Sequence, residues 1–306
     1  MADITHTSPR LVIFGCGYVG TALACEARAR GWRVTALTRN AARGAELREH
    51  GVDVVAADLA SDAWHGSVSH AQDYVVNCVS SGGGGLPGYW RSYVDGTQSI
   101  LHWAAAGVAA TFVYTSSTSV YGQGGGEVVT EESATGGGSE ASEPLLAAEK
   151  LVRDSTVFRR TIILRLAGIY GPGRHYLVDQ LRAGASLFPG TGTHRLNLVH
   201  RDDIVSAIVA CLVAPDEIGS SVFNVADDAP SPKGEVAAWL AQRLGVAPPQ
   251  FAHDLDAPPA AGVSPVRGRS GPVPDRIISN ARLKRVLHWS PRFPDYRVGY
   301  EQILKT

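Results

Sequence analysis

Six consecutive residues constrain this chain more than any others: Gly15-Cys16-Gly17-Tyr18-Val19-Gly20. They follow directly on the apolar run Leu11-Val12-Ile13-Phe14 and open the Ala-rich stretch from Val19 to Arg30. A short, continuous apolar run reads as a strand buried on both faces, as in a parallel sheet. At a strand-to-helix turn, the spacing G-x-G-x-x-G fits a dinucleotide pyrophosphate. Gly15 permits the tight turn. Gly17 lets backbone approach the pyrophosphate, which sits on the positive end of the helix. Gly20 lets the helix pack closely on the strand. A ligand-free αβ turn would carry the same letters, and the surrounding βαβ pattern favours the ligand. Gly15, Gly17, Tyr18, Val19 and Gly20 are therefore expected cofactor contacts.

The pattern continues. Strands are predicted over Trp32 to Thr38, Val52 to Ala56, Tyr74 to Val79, Thr111 to Thr115 and Thr161 to Leu166. Helices are predicted over Ala41 to His50, Trp90 to Ala106 and Leu145 to Phe158. Such alternation indicates an α/β fold, a Rossmann-like doubly wound parallel sheet of about seven strands. Residues 1–170 would form the nucleotide domain, with a returning strand near 221–226. Residues 171–306 would be mainly a small C-terminal substrate-binding subdomain. Helices are expected there over Tyr176 to Ala183, Asp203 to Val213, Pro232 to Leu244, Ala281 to Leu287 and Arg297 to Leu304. Val246 to Asp275 carries seven prolines and reads as irregular. Glycine runs at 82–85, 124–126 and 136–138 follow predicted strands, as surface loops or as a lid over a ligand at the carboxyl ends of the sheet.

Composition excludes other classes. Lys plus Arg is 28 and Asp plus Glu is 29, for a net charge of -1, so the basic field of a nucleic-acid binder is missing. The four cysteines have no CxxC spacing and no paired histidines at ligand distance, so neither a metal site nor a disulfide scaffold is expected. Val205 to Ala214 is an apolar helix too short for a membrane span, which needs ~20 residues. Without a basic n-region at the start, a soluble cytoplasmic protein is expected.

The second strand bears on the choice of nucleotide. An NAD site places an acidic residue ~20 positions after the glycines, on the ribose 2′-hydroxyl. From Ala27 to Ala45 there is no Asp or Glu, and the strand ends Thr38-Arg39-Asn40. Arg39 is either a solvated loop arginine or a partner for a 2′-phosphate. The phosphate reading makes NADP the expected cofactor, with NAD as the alternative. Asp58 and Leu59, after the third strand, are placed to meet the adenine. Asn77, Cys78 and Val79, after the fourth, would lie beside the riboses, with Ser80 toward the substrate.

Three further stretches carry a resemblance. Tyr114-Thr115-Ser116-Ser117-Thr118-Ser119-Val120-Tyr121-Gly122 closes the fifth strand. It resembles the SS(A/T)xVYG signature of extended short-chain dehydrogenases/reductases, the NAD-dependent epimerase/dehydratase superfamily. Arg165-Leu166-Ala167-Gly168-Ile169-Tyr170-Gly171-Pro172-Gly173 is similar to that family's RxxxxYGPG stretch. Leu198-Val199-His200-Arg201-Asp202-Asp203-Ile204 resembles its VHxxD segment. The glycine spacing is similar to that of the atypical branch. The resemblance implies an NAD(P)-dependent oxidoreductase or epimerase/dehydratase-like enzyme acting on a small hydroxyl or carbonyl substrate, with a nucleotide-sugar-like compound among the candidates. It implies that Ser117 bonds the substrate oxygen, and it puts Arg174 and His175 among the substrate contacts. It also implies that the helices at 90–106 and 145–158 pair two copies of the chain.

The family's acid/base is the Tyr of a YxxxK motif. Lys150 fits the Lys position, implying a grip on the nicotinamide ribose, and the Tyr position is then Leu146. A leucine moves no proton. Between Tyr121 and Tyr170 the chain has neither Tyr nor His. Tyr121, Tyr170, Tyr176, His175 and His200 are the substitute donors to weigh, Tyr121 first, each against an ordinary hydrogen-bonded aromatic. Arg267, Arg269 and Arg276 are either contacts for an anionic substrate or solvated. The rival reading is a non-catalytic NADP-binding or redox-sensing protein that has lost the catalytic tyrosine.

Overall fold

The computed structural model describes residues 8–81, 83–108, 110–137, 139–252 and 274–305. Gly82, Gly138, Arg267 and Arg269 lie outside the described residues. The first strand, β1 (Arg10–Phe14), is buried from Leu11 onward. It turns through the glycines into α1 (Tyr18–Ala29). Next come β2 (Arg33–Thr38), α2 (Ala41–Glu49), β3 (Asp53–Ala56), β4 (Tyr74–Asn77) and β5 (Thr111–Ser117). The sixth and seventh strands are Arg160–Leu166 and Ser221–Val225. In chain order, the sheet runs 3-2-1-4-5-6-7 across its width. The β1–β2, β1–β4, β2–β3 and β4–β5 pairs are parallel. Reversal of strand order at β1 makes a crevice at the carboxyl ends of β1 and β4, the usual ligand position in such sheets.

The chain divides into two compact units, and it does so by interleaving rather than at one point near residue 170. One unit comprises 1–117, 140–165 and 204–223; the other comprises 118–139, 166–203 and 224–306. The first contains most of the sheet. Its core includes Phe14, packed against Trp64 and Trp103 at 4.8 and 5.7 Å between ring centroids. In the second, the helix Tyr176–Arg182 and the helix Lys233–Leu244 share a core with Phe188, Tyr296, Tyr300 and Ile303. That unit also holds three parallel strand pairs, each strand three residues long, and an antiparallel pair of two-residue strands. One of these strands, Gln250–Ala252, falls in the proline-rich stretch expected to be irregular. Segments this short carry no periodicity from which to predict them.

Two predicted helices differ in detail. The continuous helix expected over 90–106 is instead α3 (Gly85–Tyr89), a π-helical turn Trp90–Asp95, and α4 (Gly96–Ala104). The helix expected over 145–158 is α5 (Ser142–Asp154), with Pro144 in its first turn, where a missing N–H costs little. Phe158, beyond its end, stacks on Phe112 at 4.5 Å. Among the described residues no helix is long and apolar enough to cross a membrane, and no cluster of side chains could hold a metal ion.

Candidate functional site

A cleft of about 370 Å³ opens at the carboxyl ends of β1 to β4, within the first unit. Its floor is the glycine turn. Gly15 adopts φ +87°, and a Cβ there would lie 2.6 Å from Val79 N. The same test at Gly20 gives 2.4 Å to Gly15 O, so this glycine lets α1 sit against the turn. Gly17 differs: a Cβ there would meet nothing within 4 Å. It is the N-cap of α1 and offers no side-chain cap to the helix amides. The first turn of a twelve-residue helix thus presents donors and a positive dipole end beside open space, the arrangement a pyrophosphate needs. These residues fit a dinucleotide.

Thr38, Arg39 and Asn40 form one side of the cleft. Asn40 caps α2 by accepting from Arg43 N at 2.9 Å. Asp58 lies beside Arg39 on the lining. Its Oδ2 accepts from Arg91 Nη2 at 2.9 Å and lies 3.9 Å from Arg39 Nη1. Oδ1 accepts from Ala60 N at 3.1 Å. Partial burial works to raise the Asp58 pKa, but the Arg91 hydrogen bond, the Ala60 amide and the two arginine charges outweigh it and hold the carboxyl below its ordinary range. Three arginines, Arg39, Arg43 and Arg91, therefore line the cleft against one carboxylate. Arg43 and Arg91 escaped the sequence reading. Arg91 lies 33 positions from Asp58, and only the fold brings them together.

Leu59, Cys78, Val79 and Ser80 also line the cleft. Asn77 does not. It is buried, its Oδ1 accepts from Val79 N at 3.0 Å, and its side chain shapes the turn below the cleft. Tyr18 and Val19 are not on the lining either; Val19 packs into the core. Burial pushes the thiols of Cys16 and Cys78 up, Cys78 to about 12, so both are protonated and poor nucleophiles. None of the four cysteines is in a disulfide.

Beside the end of β5 the structure holds a buried charge network. Glu149, on α5, is 0% exposed. It accepts from Ser116 Oγ at 2.6 Å, from Arg165 Nε and Nη2 at 3.0 and 2.7 Å, and from Arg153 Nη1 at 3.0 Å. Ser117, the next residue along β5, is half-buried at the strand's end. The helix face that buries Leu145, Ala148, Glu149 and Val152 turns its neighbour Lys150 away. Lys150 is exposed, pairs with Asp154, and lines a separate groove with Val94, Leu101 and Leu151. Leu146 is half-buried on the same helix. The structure thus does not bring Lys150 to the glycine cleft.

The remaining candidates lie in the second unit. Tyr121 is buried and donates to Asn224 Oδ1 at 2.8 Å. Arg276, expected in a solvated or anion-binding position, is 5% exposed, and its guanidinium donates to the carbonyls of Thr118 and Tyr121. It braces the turn that carries the VYG residues. Tyr170 and His200 are buried side by side, with ring centroids 5.3 Å apart. Burial pushes the His200 pKa down to about 4, so the imidazole is neutral, and its Nδ1 accepts from Asp202 N at 3.2 Å. Asp203 accepts from the amides of Arg292 and Phe293 at 2.7 and 3.0 Å, tying the C-terminal segment to the VHxxD turn. Arg174 and Tyr176 are exposed, and His175 Nδ1 lies 2.7 Å from Asp179 Oδ1.

The family model described as "NAD dependent epimerase/dehydratase family" matches residues 11–226. Protein YeeZ of Escherichia coli K12 is 30% identical over 94% of this chain and 97% of its own. A 3-diazoavenalumate denitrifying reductase from a Streptomyces species is 29% identical over 94% of this chain and 98% of its own. Among solved structures, MoeE5 in complex with UDP-glucose and NAD superposes with a TM-score of 0.80 at 24% identity, covering 97% of this chain and 98% of that one.

Proposed function

The chain belongs to the NAD-dependent epimerase/dehydratase family, and from that premise we propose that it is an NADP(H)-dependent oxidoreductase acting on a small carbonyl- or hydroxyl-bearing molecule. The observation that carries this reading is the cleft itself: an open approach at Gly17, and arginines at the ribose end where an NAD site has an acid. Gly15, Gly17 and the α1 amides would hold the pyrophosphate. Arg39 would take the 2′-phosphate, Asp58 and Leu59 the adenine, and Cys78 and Val79 the ribose walls. Tyr18, Val19, Gly20 and Asn77 would support that turn from beneath. When bound, the nicotinamide supplies or accepts a hydride. Ser117 would donate a hydrogen bond to the substrate oxygen, with Ser80 as a second contact in the same unit; for Arg174 and His175 a substrate role is carried by the resemblance alone. Arg276 and Tyr121 are taken up by structural hydrogen bonds and receive no substrate role. The reductase named among the relatives supports reduction of a small molecule over epimerisation.

The test is direct. Titration of the purified protein should give tighter binding of NADPH than of NADH, and NADPH oxidation should follow addition of a carbonyl panel. Equal or tighter NADH binding would refute the cofactor assignment. A second reading, dinucleotide binding without turnover, is favoured by one observation: Lys150 faces outward and Leu146 stands where the resemblance puts a tyrosine. Tight NADPH binding with no oxidation against any substrate, and Ser117→Ala indistinguishable from the unmutated protein, would support it. The groove lined by Val94, Leu101, Lys150 and Leu151 is where we place a second copy of the chain; sedimentation of Leu151→Arg as a monomer where the unmutated protein is a dimer would support that. We place the protein in the cytoplasm, where cysteines outside disulfides, as all four are here, stay reduced.

A further inference from the structure

Arg91 is not part of any motif along the chain, yet it reaches the cleft. It stands on the π-helical turn Trp90–Asp95. A π-helical turn holds an extra residue and swings the side chains around it, and such turns recur at functional sites. Here Arg91 Nη2 meets Asp58 Oδ2, the same oxygen that Arg39 approaches from just beyond the end of β2. Two guanidiniums from segments remote in sequence converge on one carboxylate oxygen. One carboxylate cannot neutralise both. Arg43, the third cation of the lining, has its own partner, Glu46, at 3.0 Å. Among the residues that line the cleft, positive charge is therefore least matched at the Arg39–Arg91 pair, where Asp95, off the lining, adds a weaker attraction on Arg91.

We propose that Arg91 is a second specificity-determining residue, which together with Arg39 takes the 2′-phosphate of the cofactor, Asp58 holding the two guanidiniums in register. This rests on the NADP reading above and adds to it a residue and a geometry. A phosphate has acceptors for both forks at once, and Arg binds phosphate bidentately. Asp58 also works as a filter: without Arg91 its bare charge would repel the phosphate and compete for Arg39. Both arginine side chains are more than half exposed, so water screens them and the effect belongs at the lower end for charge-assisted bonds.

The experiment measures dissociation constants for NADPH and NADH with the unmutated protein, Arg91→Leu, Arg91→Lys and Arg91→Leu/Asp58→Asn, with melting temperatures as a check on folding. Arg91→Leu should weaken NADPH by about 10-fold and leave NADH within about 2-fold. Arg91→Lys should fall between, because it keeps charge and loses the fork. In the double variant the NADPH/NADH ratio should stay lowered, since the lost partner is the phosphate's and any loss of an adenine contact at Asp58 affects both nucleotides alike. An NADPH/NADH ratio unchanged by Arg91→Leu, in a protein that does prefer NADPH, would overturn this inference alone. Full recovery of the ratio in the double variant would also overturn it, showing that Arg91 acts only by masking Asp58. If the unmutated protein shows no preference for NADPH, the cofactor reading itself falls, and this inference with it.

Discussion

Replacing Glu149 by Gln should cost this protein much of its stability, and the structure supplies the magnitude. The carboxylate is fully buried and accepts four hydrogen bonds, two of them from Arg165 in a bidentate fork. The Arg165 side chain is 5% exposed, so it cannot recover its hydration if the charge opposite is removed. An amide retains one acceptor but turns its NH₂ toward a guanidinium donor. Breaking a buried pair from one side costs about 3–5 kcal/mol. The Arg153 contact adds little, because its side chain is 44% exposed. Against a total of ~5–15 kcal/mol, this is a large fraction. At roughly 2–3 °C per kcal/mol in a chain of this size, the melting temperature should fall by about 10 °C. Replacing both partners, Glu149→Leu with Arg165→Met, should restore most of the loss, because no uncompensated charge then remains buried. Denaturant melts of the two single variants and the double variant give the coupling energy. A Glu149→Gln loss under about 1 kcal/mol would refute the argument, since it would mean that Arg165 reaches water after all.

Gly17→Val should abolish dinucleotide binding while leaving the melting temperature unchanged, because a Cβ there enters open cleft rather than protein; titration and a thermal melt of the same sample decide it. Lys150→Met should leave NADPH affinity as it was, since its ammonium pairs with Asp154 outside the cleft; a weakened affinity in titration would reinstate its ribose role. Asp227 gives a pH signature. Burial pushes its carboxyl up to about 8, neighbouring Asp228, Asp295 and Asp203 adding to the rise and the Ala229 amide opposing it. The folded state thus holds a proton that the unfolded chain releases near its ordinary pKa. Its contribution is complete below about pH 4 and is lost as pH rises toward about 8. Asp227→Asn should therefore gain on the unmutated protein by up to about 4 kcal/mol between about pH 5 and about pH 8, and a difference that does not change with pH across paired denaturant melts would show that Asp227 is ionised in the fold.

The parallel sheet, its strand-helix alternation and the nucleotide turn could all be read along the chain, because each depends on local periodicity or on glycines a few residues apart. Gly15 and Gly20 stand where any βαβ unit of this tightness needs them, and the acid-free stretch around Arg39 is a property of adjacent residues. Glu149 left a local trace as well: it shares a helix face with Leu145, Ala148 and Val152, and that same 3.6-residue period turns Lys150 outward. The motif spacing that assigned Lys150 to the ribose did not weigh this period. Other features have no local signal. The charge that Glu149 meets comes from Arg165 on the sixth strand of the sheet, Arg276 reaches back more than 150 positions to the carbonyls of Thr118 and Tyr121, and Arg91 meets Asp58 from a π-helical turn 33 positions away. Period and spacing record which face of an element is buried; which charge waits on the opposite face depends on how elements distant in sequence are brought together, and that is decided by packing.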